Sequence, residues 1–153
     1  MSDLQAGAAQ DAVADDNVKE VVPFYRVADM ARSVRFYVGG LGFRMTNRWE
    51  PDGKLRWCWL TLGGASLMLQ EFSRDARPGA ETGATLGAGV SICFICDDAV
   101  AIFHAATARG LEASEPQVGN GLWETSLSDP DGYRVEFESP TDMPEETKLS
   151  EVA

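Results

Sequence analysis

Histidine is almost absent from this chain: there is one, His104, in 153 residues. A metal centre or acid–base pair built on two imidazoles therefore has no place within a single copy. Cysteine is scarce and odd in number, with Cys58, Cys93 and Cys96 only. With no export signal in view, that favours reduced thiols in the cytoplasm over a disulfide framework. No apolar run approaches the roughly 20 residues that span a bilayer, which excludes a transmembrane helix. A secretory leader opens on a basic stretch followed by an apolar one. This chain opens instead with Asp3, Asp11, Asp15, Asp16 and Glu20 against Lys19. Bases are also in short supply, 13 against 24 acids, for a net charge of -11. That excludes non-specific nucleic-acid binding, which runs on Lys and Arg against phosphate. The surplus is not spread evenly, because Glu138, Asp142, Glu145, Glu146 and Glu151 crowd the other end against Lys148. The charge belongs mainly to the ends, where it promotes solubility.

What is present is enough apolar residues, 44%, for a real core, and a pattern that occurs twice. Residues 1–19, rich in Ala, Gly, Gln and Asp, read as a disordered acidic tail. Val21 to Val27 is β-rich. Asp29 then caps a helix to about Val38, with Met30, Val34, Tyr37 and Leu41 on one face and Gly39, Gly40 and Gly42 to stop it. Strands are expected at about 43–50, 55–62 and 65–72, joined by Pro51-Asp52-Gly53-Lys54 and by Gly63-Gly64. Residues 73–88 read as a linker. The order then returns: a strand at about 89–96, Asp97 and Asp98 as caps, a helix to Arg109, and strands near 111–118, 122–128 and 133–139. Residues 141–153 are left as an acidic tail.

The chain thus reads as α+β, with one βαβββ module at 20–72 and a second at 89–140. A helix covers one face of each sheet, and the other face must meet another unit. Two modules, or four in a homodimer, make a curved mixed sheet around a concave cleft, a place for a small organic ligand.

Val27-Ala28-Asp29-Met30-Ala31-Arg32-Ser33-Val34-Arg35-Phe36-Tyr37, with Leu41-Gly42-Phe43 behind it, resembles the first helix of the vicinal oxygen chelate superfamily. Ser128-Asp129-Pro130-Asp131-Gly132-Tyr133-Arg134-Val135-Glu136-Phe137 resembles its last hairpin. That superfamily includes glyoxalase I, extradiol dioxygenases, fosfomycin-resistance proteins and metal-free bleomycin-resistance proteins. The resemblance implies four metal-ligand positions, one on each of four strands. Here they fall on Val22, Met68, Ser91 and Glu136. Valine has no donor, a thioether is soft and a serine hydroxyl is a poor ligand, so Glu136 stands alone and no metal or other cofactor is expected. Glu71 lies near the ligand register and would join it only through a bulge. His104 reads as a surface helix residue. Cys93 and Cys96, three apart on a strand, point to opposite faces and read as core thiols.

Hairpin pairing gives the rest of the lining. A two-residue turn at Gly63-Gly64 sets Trp59 opposite Met68 and Trp57 opposite Gln70, and opposed residues share a face. Phe24 and Arg26 follow Val22 in parity. The turn at Asp129–Gly132 sets Thr125 opposite Glu136 and places Trp123 on that face, while Trp49 falls on the opposite parity. The expected site is Phe24, Arg26, Trp57, Trp59, Met68, Gln70, Ser91, Trp123 and Glu136. Three tryptophans on a concave face suit a planar or aromatic ligand held by stacking. The site pattern is similar to that of the metal-free bleomycin-resistance proteins, which protect by sequestering a drug. The competing class is a lyase, isomerase or dioxygenase of the same superfamily, with Glu136 among tryptophans as a general base.

Overall fold

A computed structural model describes residues 16–73 and 86–152. The N-terminal tail expected at 1–19 and the linker expected at 73–88 therefore lie mostly outside the described residues. The first module runs β1 (Phe24–Val27), α1 (Met30–Val34), β2 (Arg44–Trp49), β3 (Trp57–Leu62) and β4 (Ala65–Glu71). The second runs β5 (Ser91–Ile95), α2 (Ala99–Ala108), β6 (Gln117–Gly119), β7 (Leu122–Ser128) and β8 (Arg134–Pro140). The expected α+β duplication is what the chain adopts. Each module forms a four-stranded mixed sheet, ordered β1-β4-β3-β2 and β5-β8-β7-β6, with its first strand parallel to its last. Among the described residues no helix is long and apolar enough to cross a membrane.

The helices begin where the aspartates stand. Asp29 Oδ1 accepts from the Arg32 amide at 3.2 Å, and Asp98 Oδ1 from the Ala101 amide at 2.9 Å, each meeting one of the orphan donors of a first turn. Helix α1 widens after Val34 into a π-helical turn, Arg35–Gly40, and Gly42 leaves it at φ +85°, a conformation that favours glycine. Even residues of β3 and odd residues of β4, with Tyr25 and Val27, lie under α1; Cys58, Leu60, Leu67 and Leu69 are fully buried there. The two helix-bearing faces form one core. Phe43 meets Phe94 edge-on with ring centres 5.8 Å apart, and Tyr25 stacks on Tyr133 at 4.3 Å. The Tyr37 hydroxyl donates to Asp129 Oδ2 at 2.8 Å across the junction. Among the described residues the second face of each sheet is left open.

Two expectations about the second module change. Only Gln117–Gly119 of the strand expected at 111–118 is paired as a strand. Its hairpin closes through Asn120 and Gly121, both at positive φ, the two-residue turn that suits strand twist. The acidic segment after β8 is docked rather than a free tail. Glu145 accepts from the Asn120 and Gly121 amides at 2.9 and 2.8 Å, and Val118 exchanges backbone bonds with Thr147 and Glu146. The segment covers the outer edge of β6, so its acids meet turn donors that would otherwise go unpaired.

Candidate functional site

On the first module, the open face is built in rungs that cross all four strands. Arg26, Gln70, Trp57 and Trp49 form one, and Phe24, Met68, Trp59 and Asn47 form the next. The Gly63-Gly64 hairpin pairs Leu62 with Ala65, so the expected partners of Trp57 and Trp59 are the observed ones. Six of the nine expected site residues, Phe24, Arg26, Trp57, Trp59, Met68 and Gln70, share this face. Trp49 joins them, contrary to expectation. A bulge between Met45 and Asn47 puts one extra residue into β2, and a one-residue shift turns side chains to the other face. Trp49 is 54% exposed there.

A cavity of about 700 Å³ opens at the loop end of the first rung, bordered by Arg26, Trp49, Lys54, Arg56, Gln70 and Glu71 among others. Of the expected residues, Arg26 and Gln70 line it, while Trp57 and Trp59 lie beside it on the face. Sequence reasoning did not reach its cationic wall. Glu71, considered above as a stray metal ligand, is a structural tie. It accepts from the Met30 amide at 2.9 Å and pairs with Lys54 and Arg56, each at 3.1 Å. Burial raises the Glu71 carboxyl, but these donors outweigh it and hold the group below its ordinary range. Arg26 lies over the Phe24 ring at 5.2 Å, with no carboxylate partner among the described residues.

The second module's open face has a different character. Ser91 pairs with Arg134, Cys93 with Glu136 and Ile95 with Glu138. Ser91 and Glu136 therefore share a face, as expected, but Trp123 does not. Thr125 pairs with Phe137, and Ser126 with Glu136. The cause is the Asp129 side chain, whose Oδ1 accepts from the Asp131 and Tyr133 amides at 2.9 Å each, while the Asp129 amide donates to the Tyr133 carbonyl. The loop takes one more residue than the motif suggests, and Trp123 turns to the helix side against the core. Glu136 is thus not set among tryptophans. Arg134 Nε donates to its Oε1 at 2.7 Å, and the Cys93 thiol to its Oε2 at 3.3 Å. Cys93 is an exposed thiol of the open face rather than a core residue, since odd positions of β5 point away from α2. Partial desolvation and the bond to Glu136 push it up to about 12. Cys96 lies half-buried on the other side, and His104 is exposed on α2, both as the parity and the helix position imply.

A family model for the Glyoxalase/Bleomycin resistance protein/Dioxygenase superfamily matches residues 11–137. The chain belongs to that superfamily. No curated protein sequence matches it significantly. Its fold is similar to that of TnmS3, an antibiotic-binding protein from Streptomyces sp. CB03234, at 22% identity and TM-score 0.60, over 81% of this chain and 98% of that one. It is also similar to a bleomycin-binding protein in complex with bleomycin, at 21% identity and TM-score 0.61, over 80% and 98%. A glyoxalase family protein from Enterococcus faecalis stands equally near, at 22% and TM-score 0.61, over 79% and 98%. One superfamily fold thus serves both binding and glyoxalase-type proteins, and the site must decide between them.

The four positions that the resemblance assigns to metal ligands offer few donors here. Val22 offers no donor and Met68 only a thioether, and both belong to the first module. Ser91 and Glu136 lie on the second module's open face, with Glu136 taken up by Arg134. Cys93, Glu136 and Glu138 bring one ligand atom each within 4.8 Å of one another. Of the three, the Cys93 thiol donates to Glu136 Oε2 at 3.3 Å, and a metal ion there would have to displace that proton.

Proposed function

We propose that this protein is a metal-independent binding protein that sequesters a planar aromatic molecule on the open face of its first module, acting as a cytoplasmic homodimer. The observation that carries the reading is the pair of rungs just described. Three indoles, Trp49, Trp57 and Trp59, stand on one face turned away from the core. Among the described residues none of the three packs into the core, and flat ring surfaces bind flat ligands. The antibiotic-binding proteins that share the fold support the same class of function. The free edges of β1 and β5, with Phe24, Val90 and Ile95 exposed, support closure by a second copy. The three unpaired thiols fit a reducing compartment.

Calorimetric titration with 3-(2-naphthyl)propanamide, a neutral planar probe, tests the binding reading. Trp57→Ala and Trp59→Ala should each weaken binding by about 1–3 kcal/mol, the value of one stacking platform. Equal affinity of both variants and the wild type would remove the face from consideration. Sedimentation at micromolar concentration should give a dimer, and a monomer would contradict the assembly.

A further inference from the structure

We propose that the ligand of this face is an aromatic acid, with its ring among Trp57, Trp49 and Trp59 and its carboxylate, or another group of the same charge, on Arg26. The inference rests on the binding reading above and adds the ligand's charge and orientation. Its basis is the order of side chains along one rung. Trp49, Trp57, Gln70 and Arg26 stand on four adjacent strands, so the rung spans about 14 Å from the backbone of Trp49 to that of Arg26. Two flat rings occupy one end, an amide the middle and a cation the other end. A molecule laid along it meets stacking surface first, a hydrogen-bonding group next and a positive charge last.

The charge at that end is available. Among the described residues the cavity's other cations, Lys54 and Arg56, are both held by Glu71; with Asp52 also on the lining, three cations face two carboxylates. Arg26 has, among the described residues, only the Phe24 ring, which orients the guanidinium without neutralising it. A planar fork of donors at the edge of a cavity suits a bidentate carboxylate. The rest of the molecule sharpens the contrast, since the chain as a whole carries -11. The second module's open face gathers Glu124, Glu136 and Glu138 around Arg134. An anion is repelled there and drawn to Arg26, which fixes the direction in which the ligand lies.

The test is a charge series on one ring system, read by calorimetry: 3-(2-naphthyl)propanoate, its neutral amide, and 3-(2-naphthyl)propylammonium. The acid should bind at least tenfold more tightly than the ammonium, with the amide between them. Arg26→Gln should cost the acid tenfold or more, leave the amide within about threefold, and abolish the ranking. Arg26→Lys should restore the ranking in part. Arg26 is exposed, so both variants should melt as the wild type does. If the ammonium binds as well as the acid, or Arg26→Gln preserves the ranking, the inference fails while the binding reading stands. If none of the three binds, both fail.

Discussion

On the second module's open face, the Cys93 thiol donates to Glu136 and sits beside Glu138, so forming a thiolate there means placing a third negative charge among two. With the thiol pushed up to about 12, almost none is ionised at neutral pH. Alkylation of Cys93 by iodoacetamide at pH 8, followed by peptide mass spectrometry, should run at least tenfold slower than that of an exposed cysteine in a peptide. Glu136→Gln should accelerate it. A rate equal to the peptide's would show that the thiol is not held. Little of this was legible in the sequence. Parity separates Cys93 from Cys96, but only the pairing of β5 with β8 sets Cys93 against Glu136. The aromatic face was legible to the extent that turns were. Gly63-Gly64 admits one tight register and marks the pairing of Trp57 with Gln70 and of Trp59 with Met68. The bulge that brings in Trp49 and the side-chain-capped loop that takes away Trp123 each depend on a single added residue, which spacing alone does not mark.

Among the elements, the bond between strand β4 and helix α1 depends most on one side chain. Glu71 closes the helix N-terminus through Met30 and gathers Lys54 and Arg56 from the loop before β3. Glu71→Gln should cost about 1–2 kcal/mol at neutral pH, the value of a carboxylate at a helix start with charged donors. The pH dependence follows from the direction of its shift. A carboxyl held below its ordinary 4.5 contributes stability that is complete above that value and is lost as pH falls through the folded one. The gap between wild type and Glu71→Gln in thermal melts should therefore close in acid. A gap that persists unchanged at pH 3 would show that the carboxylate's charge contributes nothing. The helix itself was readable from Asp29 and the glycines after it, whereas the partner of its first turn lies 41 residues away in sequence.

Across the whole molecule, the two modules meet through a buried polar bond set in aromatics. Asp129 is desolvated, which raises its carboxyl, and the Tyr37 hydroxyl is among the donors that hold it down. An aspartate raised on folding costs stability when ionised, and the cost is relieved as pH falls through the folded value. Tyr37→Phe removes one of the donors that offset this cost. It should destabilise by about 1–3 kcal/mol at pH 7 and by less in acid, measured by urea unfolding. An equal loss at both pH values would assign the effect to packing alone.

With the helix faces consumed in that junction, the open faces remain for ligand and partner. The assignment of three tryptophans to one open face and of the fourth to the core is the claim on which the functional reading stands. The chain's four indole N–H resonances test it directly, by ¹H–¹⁵N spectra during titration with 3-(2-naphthyl)propanoate. Resonances are assigned by single Trp→Phe substitutions. Trp49, Trp57 and Trp59 should shift together along one saturation curve, with Trp123 unmoved. Shifts at Trp123 with the other three still would contradict the account.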